Sequence, residues 1–413
     1  MDMLAELILA PDREHCPGAR GVLSLHGDEP ASFLRAAERI RTAQFDLTRR
    51  GQWHGEFLEF EPALAGLPPA RITPSNAAFH RRWRTARPIV LPGALLPLVE
   101  REAAAIAESL EWHREASAEP QSQALLRWLH SIEDEWSLTP ARAPLADPER
   151  DIERVEATPI RSRRPPRLWL KSGWLSTHPD DASLRVRVSA GIEGRDDAAP
   201  DLALNREVAQ LAAATLPCAA ALRGERHLKS WIEALTGEPL LFTQDIAYWN
   251  APGGGALFHH DAFAPDGTLG QLGVCYAQLA GETFWLALST EDLCQRIAEF
   301  TQALEEGQLS WVRQQLFPEP ARWRQHRARI GDPAGLRREL ALPGQGELGA
   351  LLNRGPEFTA FLADAGHGWL LRAGDVMLLP NHGLESTCMH SVFCASDEAT
   401  YALSLAIRSN RDG

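Results

Sequence analysis

Tyr248-Trp249-Asn250-Ala251-Pro252-Gly253-Gly254-Gly255-Ala256-Leu257-Phe258-His259-His260-Asp261 is the stretch on which the reading of this protein turns. An aromatic run stops at Pro252 and three glycines, then resumes as a short apolar segment, so it reads strand, turn, strand. On a strand, residues two apart face the same way. His259 and Asp261 therefore project together, and His260 points to the other face. An imidazole beside a carboxylate can hold one side of a divalent iron. A second His from a distant strand would complete a two-His-one-carboxylate triad with open coordination positions. The H-x-D spacing alone also arises by chance, as half-exposed histidines beside a turn Asp.

The distant His is sought in Gly374-Asp375-Val376-Met377-Leu378-Leu379-Pro380-Asn381-His382-Gly383-Leu384-Glu385-Ser386-Thr387-Cys388-Met389-His390-Ser391-Val392. His390 opens a β-like run, whereas His382 lies in a loop beside Asn381 and Gly383. Metal ligands are held better by rigid elements than by loops. His390 is therefore the favoured third ligand, His382 the alternative, and Glu385 stands behind both.

Outward from these blocks, strand periodicity marks 167–175, 184–189, the stretch up to 289, 368–379 and 400–408. Within 184–189, Arg185 and Arg187 share a face. Helical spacing marks 203–216, 227–236 and most of 290–365, where Glu291–Phe300 makes an amphipathic start. Earlier in the sequence, helices are expected over 30–45, 95–116 and 121–136. The segment 140–166, rich in Pro, Arg, Asp and Glu, reads as a long connection and the best domain boundary. The expectation is an α+β protein: residues 1–160 mainly helical, and 161–413 a β-rich domain with a helical insertion at about 290–366.

Composition narrows the class. Length of 413 residues allows two domains or one elaborated domain, and 44% hydrophobic with 23% charged residues is the balance of a soluble globular protein. No apolar run approaches a membrane span, and Leu7-Ile8-Leu9-Ala10, ended by Pro11-Asp12, is no secretory signal. Six cysteines without a C-x-x-C pair fit thiols in a reducing cytoplasm. A net charge of −13 argues against nucleic acid as a partner, since phosphate backbones are bound by clustered Lys and Arg. What is left is a cytoplasmic enzyme or small-ligand binder, with a homodimer among the assemblies open to it.

At these residues the sequence resembles a family. The 248–261 block, then Val274-Cys275-Tyr276-Ala277-Gln278-Leu279-Ala280-Gly281-Glu282-Thr283-Phe284-Trp285, then Gly374-Asp375, Pro380 and His390, and Ser404 to Arg408 are similar to the JmjC/cupin-type Fe(II)- and 2-oxoglutarate-dependent oxygenases, nearest the bacterial ribosomal-oxygenase and asparaginyl-hydroxylase branch. The resemblance implies a double-stranded β-helix (jelly-roll, cupin) core with a helical insertion. It implies His259, Asp261 and His390 as iron ligands, with 2-oxoglutarate and O2 as co-substrates. The implied activity is a dioxygenase's oxidation of an unactivated C–H, most often hydroxylation. Its substrate would be a small molecule, an amino-acid-like compound or the side chain of a protein.

Two positions depart from that pattern. Thr283 stands where the family has a basic residue that pairs with the co-substrate carboxylate, and the interval from Pro380 to His390 is longer than usual. Arg408 is the candidate to replace the missing cation. In the last strand it shares a face with the small residues Ala402, Ser404 and Ala406, and a guanidinium matches a carboxylate bidentately. Thr283 can add a hydroxyl hydrogen bond. Two other readings stay open: an iron oxygenase of the same fold that does not use 2-oxoglutarate, and a cupin-like protein that binds a ligand or partner without catalysis.

Overall fold

The computed structural model describes residues 7–9, 70–72, 77–116, 128–141, 152–160, 168–175, 185–192, 202–252, 254–262, 271–307, 313–314, 316–341, 348–349, 351–352 and 356–410. Its strands are β1 (Leu7–Leu9), β2 (Ala70–Ile72), β3 (Ile89–Leu91), β4 (Trp136–Ala141), β5 (Ile152–Pro159), β6 (Leu168–Leu175), β7 (Arg185–Ile192) and β8 (Leu240–Asn250). They continue as β9 (Gly255–His259), β10 (Gln271–Ala280), β11 (Thr283–Ser289), β12 (Gly368–Leu371), β13 (Val376–Pro380), β14 (Cys388–Cys394) and β15 (Thr400–Ser409). Apart from the short pair β1–β2, they form a nine-stranded sheet in the order β3-β13-β10-β15-β8-β7-β6-β5-β4 and a four-stranded sheet in the order β12-β11-β14-β9. Every pairing is antiparallel.

The two sheets face each other because their central strands are apolar on both sides. In β11, Phe284, Leu286 and Leu288 pack into one core, and Trp285 and Ala287 into another. In β15, Tyr401, Leu403, Leu405 and Ile407 pack outward, while Ala402 joins the core between the sheets. That inner core takes Val274, Tyr276, Met377 and Leu379 from the large sheet and Trp285, Trp369, Leu371 and Cys388 from the small one. Strands buried on both faces lose the usual polar alternation.

Helices close the outer faces. Leu202–Thr215 and Arg226–Thr236 lie in the core outside the large sheet. Thr290–Glu305, Pro320–Ile330, Pro333–Leu340 and Pro356–Leu362 cover the outer face of the small sheet, as a helical insertion there predicts. The first of these is capped by Ser289, whose Oγ accepts from the Asp292 amide at 3.0 Å.

Three expectations need correcting. The segment 95–116 is two helices, Leu96–Arg101 and Ala103–Ala116, parted at Glu102. Of 121–136 the described residues begin at Trp128, which with Leu129 is helical and runs into a 3-10 turn at His130–Ile132, so helix ends there and Trp136 opens a strand. Trp136 is buried and Ser137 exposed, a period of two that tertiary burial rewards over helix propensity. The supposed connection at 140–166 contains β5, where Val155 and Ala157 are buried on either side of Glu156. Pro140 is tolerated because β4 is the sheet's edge. The large sheet thus draws β3, β4 and β5 from before residue 160. The helix expected at 30–45 lies outside the described residues. Among the described residues no helix is long and apolar enough to cross a membrane, and the five described cysteines carry no disulfide.

Candidate metal centre

β9 pairs with β14 so that His259 stands opposite His390. This register is the reason two histidines so distant in sequence meet. Their ring centroids are 4.2 Å apart. Asp261, just past the end of β9, comes to 3.8 Å from His259 Nε2 and 3.5 Å from His390 Nε2. One donor atom from each of the three residues falls within 4.8 Å of the others, the single such cluster among the described residues.

The protonation states suit metal binding. His390 is 2% exposed, and burial together with neighbouring His259 pushes its pKa down to about 4. It is therefore neutral at physiological pH. Its Nδ1 lies 3.2 Å from the Cys388 carbonyl, which can only accept. Nδ1 consequently carries the proton and Nε2 presents its lone pair toward Asp261. Burial raises the Asp261 carboxyl, but His390, His259 and Arg187 more than reverse this, and the net shift is below the usual carboxylate value. Asp261 is held as the anion.

His260 points the other way, as strand alternation predicts. Its Nε2 donates to the Ala341 carbonyl at 3.1 Å, and its Nδ1 accepts from the Ala262 amide at 3.2 Å. It ties the end of β9 to the end of helix Pro333–Leu340 in the insertion. His382 is not part of the cluster: its Nε2 is 2.7 Å from the Trp83 carbonyl and the residue is exposed. Glu385 is exposed.

The inner core lines the site. Trp285 lies 5.5 Å from the His390 ring and 4.6 Å from Tyr276, so this tryptophan walls the centre. Trp249 packs outside the large sheet against Trp112, Trp128 and Tyr401. Arg187 is half-buried, and its β7 neighbours Val186 and Val188 belong to the outer core, so Arg187 is on the inner face. It pairs in register with Tyr248, which packs on the inner core, and its charge reaches Asp261. Strand alternation puts Arg185 and Arg187 on one face but does not say which face. Only the position of β7 beside β8 reveals it.

The two candidate co-substrate residues differ. Thr283 is fully buried and its hydroxyl is occupied: it donates to Gln278 Oε1 at 2.8 Å and accepts from Trp285 Nε1 at 2.9 Å. Gln278 Oε1 also accepts from Tyr276 Oη at 3.1 Å, and Gln278 Nε2 donates to the Ala280 carbonyl at 2.6 Å. Arg408 is 3% exposed rather than solvated, and its Nε donates to Thr243 Oγ1 at 3.1 Å. Burial draws its pKa down to about 10, which still leaves a cation at neutral pH. The basic helix 320–330 is a solvated face with partners: Arg327 meets Glu305, and Arg329 meets Glu339 at 2.6 Å.

No protein-family model matches the sequence, and no curated protein matches it.

Proposed function

We propose that this protein is an Fe(II)- and 2-oxoglutarate-dependent oxygenase built on a double-stranded β-helix. The carrying observation is the His259–Asp261–His390 cluster: two imidazoles and an ionised carboxylate, with donor atoms within 4.8 Å, on the inner side of two facing antiparallel sheets. That donor set suits divalent iron and leaves coordination positions open. The strand order supports the fold. From β8 to β15, consecutive strands alternate between the large and the small sheet. The exception is β11 and β12, neighbours in the small sheet on either side of the helical insertion.

Iron and 2-oxoglutarate, when bound, supply with O2 the power to oxidise an unactivated C–H, with succinate and CO2 leaving. The protein's own residues do the rest. His259, Asp261 and His390 would hold the metal, and the Cys388 carbonyl fixes the His390 tautomer. Trp285, Tyr276 and Val274 keep water from the inner side. A buried cation at Arg408 fits a dicarboxylate co-substrate, which is the reason to favour 2-oxoglutarate. The bond oxidised belongs to a small molecule, an amino-acid-like compound or a protein's side chain.

Anaerobic titration with Fe(II) and then 2-oxoglutarate tests this. A metal-to-ligand charge-transfer band is expected, with succinate formed on admitting O2. His390→Ala or Asp261→Ala should weaken metal binding by about 100-fold or more, beyond the effect of losing an outer hydrogen-bond partner. Metal content unchanged in His259→Ala and Asp261→Ala would sink the reading. The closed hydroxyl at Thr283 favours a second reading, in which iron chemistry proceeds without 2-oxoglutarate. Iron-dependent O2 consumption without succinate would select it.

A further inference from the structure

His260 stands between two residues of the proposed metal set without belonging to it, yet both of its ring nitrogens are engaged. Nε2 lies 3.1 Å from the Ala341 carbonyl, which can only accept, and Nδ1 lies 3.2 Å from the Ala262 amide, which can only donate. The two contacts agree on one neutral tautomer, with the proton on Nε2. The Nδ1 bond spans Asp261, because it joins the side chain of the residue before to the amide of the residue after. A side chain bonded to the backbone two residues on closes a turn and fixes the residue at its centre.

Asp261 has need of such a clasp. It lies beyond the end of β9, where the last ladder pair is His259 with His390. β9 is the edge of the small sheet, with β14 its one neighbour among the described residues. The register also shifts along it: the step from Ala256 to His259 on β9 matches the shorter step from Val392 to His390 on β14. A bulge of this kind re-aims side chains and disrupts the ladder around it. Strand pairing alone therefore leaves the direction of the Asp261 carboxylate loosely set.

The outer face of β9 supplies what the edge lacks. Phe258, 2% exposed, packs in the core beneath the insertion with Leu293, Ile297, Leu336 and Leu340. His260 follows on the same side. It bonds to Ala341, whose carbonyl is one of those that a helix end leaves without an internal partner. Helix Pro333–Leu340 is fixed in turn: Leu336 and Leu340 share that core with helix Thr290–Glu305, and Arg337 reaches Glu291 at 2.9 Å. Thr290–Glu305 starts directly from β11, which pairs with β14 so that Ala287 stands opposite His390. The contacts thus close a circuit from His390 through β11 and the insertion helices to His260 and Asp261.

We infer that His260 is a positioning residue of the metal centre, clasping the turn that carries Asp261 and referring it to the insertion, a role that rests on the metal reading above. His260 acts through Asp261, whose carboxylate must meet both imidazoles at once. The insertion is thereby part of the frame of the site, although its helices lie on the outer face of the small sheet.

Binding of Mn(II) to the full-length protein under anaerobic conditions tests this, with the electron-spin-resonance spectrum of the bound ion as the record of its geometry. The Asn carboxamide oxygen stands where Nδ1 does and can accept from Ala262, and the Gln carboxamide nitrogen stands where Nε2 does and can donate to Ala341. His260→Ala is expected to weaken Mn(II) binding by about 10-fold and to alter the spectrum. His260→Asn and His260→Gln should each weaken it by about 3-fold, since each keeps one contact and loses the other. Thermal unfolding of the metal-free proteins, read alongside, separates lost affinity from lost fold. If His260→Ala fails to fold, the Asn and Gln pair carries the test. Native affinity and spectrum in His260→Asn overturn the part given to the insertion, and in His260→Gln they overturn the clasp. Either result leaves the metal reading standing, whereas native protein that binds no Mn(II) overturns both.

Discussion

Two polar clusters lie in the space between the sheets, near opposite ends of β10, and they are built on opposite principles. At one end Tyr276, Gln278, Thr283 and Trp285 close on one another, with Gln278 Oε1 accepting twice and Thr283 both giving and receiving. At the other end Thr243 bonds to Arg408, while the buried amide of Gln271 has no hydrogen-bond partner among the described residues. A satisfied network serves the fold, because each member lowers the cost of burying the others. A buried group without a partner costs stability. The difference teaches that a buried polar group costs little where the fold supplies its partners and costs stability where it does not.

The comparison can be broken from the closed side first. Arg87 and Asp292 are a further satisfied pair, with two hydrogen bonds at 2.9 and 2.8 Å joining the segment before β3 to the insertion. Arg87→Met strands a mostly buried carboxylate and should cost about 2 kcal/mol, a figure reduced for the part-exposed arginine. Denaturant unfolding measures it, and native stability would contradict the view that satisfied networks carry the fold. The pair also predicts an acid limb. Burial raises the Asp292 carboxyl, but Arg87 and Ser289 more than offset this, so its folded pKa lies below the ordinary 3.8. Its contribution is present above 3.8 and lost as pH falls through the lower folded value. The stability gap between native protein and Asp292→Asn should therefore narrow from about pH 6 toward about pH 3, and a gap constant with pH would contradict it.

Thr283→Val should come next, at about 1 to 2 kcal/mol, because it leaves Gln278 and Trp285 each short of a partner. The smallest effect has the opposite sign. Gln271→Leu removes a buried amide with no hydrogen-bond partner among the described residues, so stability should hold or rise by up to about 1 kcal/mol. A clear loss of stability in this variant would show that Gln271 serves packing, and the contrast between the two clusters would dissolve.

Much of the His259–Asp261–His390 cluster was legible without coordinates. The strand period placed His259 and Asp261 together, and the preference for a rigid element selected His390 over His382. That Arg408 shares a face with small residues was readable, though its burial was not, and the insertion followed from its helical spacing. The misses share a cause. β4 and β5 were hidden because charge and proline content outweighed a short alternation that only an edge position makes tolerable. Arg187 was visible as one of a pair, yet its direction depended on which side of β7 the helices pack. Thr243 and Gln271 gave no signal, since simple alternation puts both on the wrong face.

By itself, then, the amino-acid order determined which residues can bind a metal, that they alternate along strands, and that strands and helices divide the molecule as an α+β protein. These are local properties, set by the two-residue repeat and by side-chain chemistry. Tertiary structure decided which strands are neighbours and where the repeat is broken. A bulge adds one residue to a strand and inverts every face beyond it, and the one at Gln244, where φ is 52°, is braced by Asp245 bonded to Arg223 on a different element. No window of sequence around Thr243 or Gln271 contains that contact.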